Sequence, residues 1–277
     1  MNTNMTKQEK IIESLHVRAS IDVAEELRFR VDFLKNYLLN TGANGYVLGI
    51  SGGVDSTLTG YMARIACDEA AQETGKEFRF FAVRLPYGKQ LDEDVAQEAV
   101  KLIRPHNMIT VNIKAAVDAS VEQFQLATGA ALSDFHKGNT KARERMKVQY
   151  DIAAHFGLLV LGTDQAPEAA TGFFTKFGDG AADVAPITGL TKGQVRQILQ
   201  QLGATEELYK KTPTADLEDN RPQLPDEEAL GFSYDDLDKY LTNQAVSSEV
   251  RDKIERQYDA TRHKRHLPVT PFDSWWK

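Results

Sequence analysis

Tyr46-Val47-Leu48-Gly49-Ile50-Ser51-Gly52-Gly53-Val54-Asp55-Ser56 decides the fold, because it runs an apolar strand into a glycine turn and the turn into a helix. Beyond the turn, Leu58, Met62 and Ile65 recur at helical spacing. Gly52 and Gly53 let the backbone bend tightly and approach a ligand without a Cβ in the way. The helix that follows offers unpaired N–H groups and the positive end of its dipole, to which Ser51 and Ser56 add hydroxyl donors. The turn is therefore predicted to hold an anion. Asp55 is the odd member: a carboxylate beside a phosphate repels it unless a cation lies between, so Asp55 implies Mg²⁺. A plain strand–turn–helix junction accounts for a lone Gly-Gly pair but less well for the serines and aspartate around this one.

Working outward, further strand-like runs occupy 78–85, 108–113 and 158–162, after the first at 46–50. Their near-continuous apolar character suits strands covered on both faces. Helical patterns fill 55–70, 93–103 and 140–156, and an earlier helix at 22–39 has Asp22 placed to cap it. This alternation predicts an α/β fold: a three-layer, open, mainly parallel sheet with helices on both faces, plus extra N- and C-terminal helices. After Leu202 the character changes. Pro213, Pro222 and Pro225 sit among acidic residues in 212–228, so that stretch cannot be regular throughout. Two more helices, at 234–241 and 249–262, precede Trp275-Trp276. We read 1–277 as one domain, with a core at about 46–202 and a loop-and-helix extension at about 203–277.

Composition narrows the class. The 277 residues are 42% hydrophobic and 26% charged, as in ordinary globular proteins, and Cys67 is the only cysteine. One thiol makes neither an internal disulfide nor a cysteine-rich zinc site. The net charge of −7 disfavours a nucleic-acid partner. No run approaches the roughly 18 apolar residues of a membrane span, and the polar N-terminus lacks a leader-type stretch. A cytoplasmic protein is expected.

A second constellation follows the strand at 158–162, where Gly162-Thr163 leads into Asp164-Gln165-Ala166-Pro167-Glu168. Ligands of open α/β sheets sit beyond the carboxyl ends of strands. If the two strands are neighbours, Asp55 and Glu168 share one metal; Glu168 equally suits the first turn of a helix. The glycine- and phenylalanine-rich stretch 171–185 is expected to pack rings around a planar ligand. The Walker-type loop is absent, since Gly75-Lys76 and Gly88-Lys89 are followed by Glu and Gln.

The loop resembles the pyrophosphate-binding motif of the N-type ATP pyrophosphatases. The strings GISGGVDS (49–56), AVRLPYG (82–88), GNTKARERM (138–146), GTD (162–164), EAATGFFTKFGDG (168–180), LTK (190–192), PTADLEDNRP (213–222) and HKR (263–265), in this order, resemble the bacterial ammonia-dependent NAD synthetases. That resemblance implies an adenine nucleotide alpha-hydrolase-like fold. It also implies amidation of deamido-NAD by ammonia, with ATP as co-substrate split to AMP and pyrophosphate through an adenylated nicotinate carboxylate.

It further implies ATP contacts from Gly49, Ile50, Ser51, Gly52, Gly53, Val54, Asp55, Ser56, Arg84, Gln90, Thr163, Lys192 and Thr214. Deamido-NAD contacts are implied for Arg143, Lys176, Asp183, His263 and Lys264, magnesium ligands in Asp55 and Glu168, and catalytic roles for Asp55 and Lys192. The family is homodimeric with the deamido-NAD site at the subunit interface, which the resemblance extends to this chain. By the residues alone, Arg143 on a Lys- and Arg-rich helix reads as a solvated basic face, and His263 and Lys264 as cations suited to a helix end. Val54 and Gln165-Ala166-Pro167-Glu168 depart from the commoner Gln and His-Ala-Ala-Glu. Cys67, at a helical position, reads as packing and not as a glutaminase nucleophile, so free ammonia is the expected donor. Two rivals are a tRNA-modifying relative, for which the basic extension is missing, and an ATP-holding regulatory protein, against which the Asp55 and Glu168 pair argues.

Overall fold

The computed structural model describes residues 5–88, 93–215, 217–221 and 224–277. The chain opens with α1 (Lys7–Ser14) and α2 (Val23–Thr41), then enters β1 (Gly45–Gly49), α3 (Val54–Thr74), β2 (Arg79–Arg84), α4 (Glu93–Ile103) and β3 (Asn107–Thr110). Two long helices, α5 (Lys114–Thr128) and α6 (Asp134–Phe156), return it to β4 (Leu159–Val160) and α7 (Ala166–Thr171). The remainder comprises α8 (Lys192–Gln201), α9 (Glu206–Tyr209), β5 (Thr214–Ala215), β6 (Leu224–Pro225), α10 (Asp226–Leu230), α11 (Tyr234–Leu241), α12 (Ser248–Ala260) and a 3₁₀ turn, Arg262–Arg265.

Four strands pair in parallel in the order β3-β2-β1-β4. Strand alternation sends successive side chains to opposite faces. Tyr46 and Leu48 of β1, with Phe80 and Ala82 of β2, enter a core shared with α2, α3 and α8. Val47, Phe81, Val83 and Val160 enter a second core lined by residues of α5 and α6. Both faces are thus covered, as expected for three layers. The buried Tyr46 hydroxyl donates to the carbonyl of Leu34 at 2.7 Å, which satisfies the one polar atom it brings inside.

A third, smaller core joins the two ends of the chain. Ile11 of α1 and Leu15, its C-cap, pack with Ala166 and Ala170 of α7, Leu237 and Leu241 of α11, and Ile254 of α12. Asp22 caps α2 by accepting from Glu25 N–H at 3.0 Å, as its position suggests.

Some boundaries differ from the sequence expectation. Helix α6 begins at Asp134 and not at 140, because Ser133 caps it by accepting from His136 N–H at 3.2 Å. Helix α5 was not anticipated: it buries only Val117, so it carries little periodic signal. Beyond β4, Leu161 bridges in parallel to Val184, which anchors the chain emerging from the glycine-rich stretch. Among the described residues of 212–228, the regular structure is the short β5/β6 pair and the start of α10.

Candidate active site

A cavity of about 580 Å³ opens where β1, β2 and β4 end, beside the point at which strand order reverses between β1 and β4. Its floor is the turn after β1. The walls come from Leu85–Tyr87, the inner face of α6, residues 161–163 and Glu168, and Thr214 and Asp226 close over the top.

The turn is built from backbone. Gly52 has φ +81° and a Cβ there would stand 2.9 Å from the Ala96 Cα, so only glycine fits. Gly53 is the N-cap of α3 and brings no side chain to it. Ser51 Oγ accepts from Gly53 N–H at 3.2 Å and lies 3.2 Å from Ser56 Oγ, so the two hydroxyls brace the bend. Among the described residues nothing accepts from the N–H groups of Val54, Asp55 and Ser56, which all line the cavity. These N–H groups and the dipole of a 21-residue helix make a ready anion site.

Facing the turn is a wall of acids and one lysine. Lys192, the first residue of α8, is 1% exposed, and its ammonium lies 2.7 Å from Asp55 Oδ2. Burial pulls on that ammonium downward, yet Asp55 and Glu168 together hold its pKa above the usual lysine value. Gln165 donates to Asp55 Oδ1 at 3.0 Å, while its own Oε1 is buried without a partner. Burial lifts Glu168 well above the carboxylate range, opposed by Lys192 and reinforced by Asp55, Asp164 and Asp179. Asp164 is pushed up to about 7 by burial first, then by Asp179 and Asp55. So concentrated an acid cluster, with one buried lysine against it, suits a cation. Pro167 causes no loss, since it falls in the first turn of α7, where N–H groups lack helical partners.

Oxygen donors suit a hard metal ion. Asp55 and Glu168 both line the cavity, whereas the described residues form no group of three or more acids, histidines or cysteines able to cage a metal. A carboxylate pair of that kind fits Mg²⁺, which keeps waters and takes substrate phosphates as its other ligands.

The roof is held by two lysines, one of them buried. Lys141, which the KARER run presented as part of a solvated face, is 3% exposed and donates to Leu217 O at 2.7 Å and Asp219 Oδ1 at 2.6 Å. The Asp134 carboxylate accepts from the N–H groups of Asp219 and Asn220, each at 2.8 Å. Gly138 lets Leu217 close in: a Cβ there would lie 3.0 Å from Leu217 Cβ. On the other side, Lys264 donates to the carbonyls of Gly172 at 2.7 Å and Phe174 at 2.6 Å, pinning the aromatic loop. Phe173 and Phe174 line the cavity, while Phe177 is exposed.

Of the residues singled out from sequence, Gly49, Ile50, Ser51, Gly53, Val54, Asp55, Ser56, Thr163, Glu168, Lys192, Thr214 and Lys264 line this cavity. Gly52 lies behind the turn, and Arg84 is buried at the end of β2 outside the lining. Gln90 falls outside the described residues. Arg143, Lys176, Asp183 and His263 do not reach the cavity of their own copy. Arg143 and Asp183 are exposed, although Asp183 still accepts from Val160 N–H at 2.8 Å, and Lys176 donates to the carbonyl of His263 at 2.5 Å. Sequence reasoning assigned no role to Asp164, Asp179, Asp226, Asn139 or Arg145, which all belong to the site or its edge. Asp164 carried a signal in its position just beyond a strand end; Asp179, Asn139 and Arg145 stood inside quoted strings, and Asp226 carried none.

The NAD synthase family model matches residues 26–268. An NH(3)-dependent NAD(+) synthetase of Halalkalibacterium halodurans is 61% identical over 98% of this chain and 100% of its own length. The enzyme of that name from Bacillus subtilis is 55% identical over 99% and 100%. The crystal structure of an NAD+ synthetase from Burkholderia pseudomallei superimposes with a TM-score of 0.82 at 43% identity, covering 95% of this chain and 97% of that one. A structure of NMN synthetase from Francisella tularensis gives 0.78 at 31% identity, over 92% and 100%.

Proposed function

The chain belongs to the NAD synthase family, and from that premise we propose that it amidates deamido-NAD with ammonia, converting ATP to AMP and pyrophosphate. The observation that carries the reading is the open N-terminus of α3 set against Asp55, Glu168 and Lys192 across one cavity. Such a site suits the outgoing diphosphate, and its acids would hold the cation that phosphates require.

A carboxylate is a poor electrophile, so the amide needs a better leaving group. The nicotinate carboxylate attacks the α-phosphorus, pyrophosphate departs, ammonia attacks the acyl carbon, and AMP leaves. Asp55 and Glu168 would hold Mg²⁺, which when bound offsets the negative charge of the phosphates. The N–H groups of Val54, Asp55 and Ser56 grip the departing diphosphate, and Lys192 supplies the second positive charge. Thr163 and Thr214 border the same space and donate hydroxyls to ATP. No protein nucleophile is needed. Cys67 is buried, and its thiol is pushed up to about 12 by that burial, which supports free ammonia as the nitrogen source over a cysteine-dependent glutaminase step.

We also propose a homodimer in which Arg143, Lys176, Asp183 and His263 meet deamido-NAD at the interface. This is supported by their position outside the cavity of their own copy. It is supported too by the exposed Phe124, Leu126 and Phe156 on α5 and α6, apolar side chains that a second copy would cover. The chain works as one unit, since α7 and α8, which carry Glu168 and Lys192, pack against helices of the C-terminal extension. A cytoplasmic setting suits the lone reduced thiol; among the described residues no helix is long and apolar enough to cross a membrane.

The test is direct. Purified protein with ATP, Mg²⁺, ammonium and deamido-NAD is expected to yield NAD, AMP and pyrophosphate in equal amounts. ADP as the nucleotide product would overturn the reading.

A further inference from the structure

We infer that α11 is the positioning element of Lys192, gripping it at both ends through Tyr234 and Asp238. The inference rests on the reading of Lys192 as the cation that meets the phosphates of ATP. Tyr234 and Asp238 stand four residues apart, on one face of α11. The Lys192 ammonium lies 4.7 Å from the centre of the Tyr234 ring, within cation–π range. That ring is itself tethered, because its hydroxyl donates to Asp226 Oδ2 at 3.0 Å. At the other end, Asp238 Oδ1 accepts from Lys192 N–H at 3.2 Å and Oδ2 from Gly193 N–H at 2.6 Å. Gly193 permits this approach: a Cβ there would stand 3.0 Å from Asp238 Oδ2.

Helix α8 does not need Asp238 in order to start. Thr191 and Gln194 form a capping box within the helix itself, with Thr191 Oγ1 accepting from Gln194 N–H at 3.2 Å and Gln194 Oε1 from Thr191 N–H at 3.0 Å. What Asp238 adds is position. It ties the backbone of Lys192 to a helix of the smaller core, while Tyr234 on the same helix sets the height of the ammonium above Asp55. Asp238 and Tyr234 are therefore positioning residues, acting on the reaction only through Lys192.

The experiment is a double-mutant cycle read in kcat per folded enzyme, with folding checked by circular dichroism. Lys192→Met should lower kcat strongly. Asp238→Asn, which keeps the shape, should lower kcat by about 10- to 100-fold with the KM for deamido-NAD unchanged, as misplacement of a reacting group by about 1 Å does. Tyr234→Leu should do the same. In the Lys192→Met background either change should add less than about twofold, because the residue it would misplace is gone. Should Asp238→Asn fail to fold, Gly193→Ala displaces the carboxylate by steric contact and enters the same cycle. Losses that multiply in the double mutants would overturn the positioning role and leave the Lys192 reading intact. A Lys192→Met enzyme with near-normal kcat would overturn that reading, and the positioning role with it.

Discussion

Helices α3 and α8 both begin at the cavity, and they begin in opposite ways. At α3 the N-cap is a glycine, and the first N–H groups meet no acceptor among the described residues. At α8 the first three are all engaged, two by Asp238 and one by Thr191. A helix start left open is a place for someone else's negative charge. A helix start closed by the protein's own oxygens is a mount, and what it mounts is Lys192. One wall of the site is therefore made of backbone and the other of side chains held from behind.

The comparison breaks most severely if Asp55, which touches both walls, is removed. Asp55→Ala should lower kcat/KM by about 10³-fold, comparable to losing a strong transition-state contact. The melting temperature should fall while the fold survives, because the change removes the direct partner of the buried Lys192 but leaves the three cores untouched. Steady-state kinetics beside a thermal melt check both halves.

Closing the open helix tests the contrast more sharply. Gly53 has φ −79°, so a side chain there strains no backbone, its Cβ asks only that Ser51 Oγ, 3.3 Å away, yield slightly, and Gly53→Asp would give α3 an ordinary cap. Stability should hold or rise slightly. ATP affinity should fall by at least about 100-fold, since two unit charges about 4 Å apart repel by about 4 kcal/mol at an effective dielectric near 20. Calorimetric titration with ATP reads this. Unchanged affinity would remove the phosphate from the α3 start.

The acid wall should announce itself through pH. Asp164 in the folded chain holds its proton up to about 7, whereas its ordinary value is 3.8. Between those values the folded state binds more protons than the unfolded one, so unfolding free energy falls as pH rises through that window. Urea midpoints of the ligand-free protein should drop from pH 5 to pH 7.5, and Asp164→Asn should make the drop shallower. Equal slopes in both proteins would refute the assignment.

The smallest effect expected is at the closed helix. Thr191→Ala removes one cap bond and should lower stability by about 1 kcal/mol, seen as a few degrees in the melting temperature.

The difference between the walls also explains what could be read beforehand. The open wall is local: the strand, the glycine turn and the helix start follow one another in sequence, and their periodicity and Gly52 betray them. Asp55 and Glu168 were legible as a pair because both follow strand ends. The closed wall is assembled over distance. Asp238 lies 46 residues from Lys192 with no motif that links the two. Lys141 reads as a surface lysine until Asp219, 78 residues away, folds back to neutralise it. No pattern of spacing encodes such pairs; only packing brings them together.

The smaller core, which unites α1 with α7, α11 and α12, bears on the order of events during synthesis. A nascent chain that has emerged as far as α8 already owns every strand of the parallel sheet and the phosphate turn. The helix carrying Glu168, however, lacks its main packing partners until α11 and α12 have left the ribosome. The phosphate turn is therefore complete in the chain before the helix that carries Glu168 is packed, and a chain cut short of α11 and α12 would keep the turn while losing the support behind the acid wall.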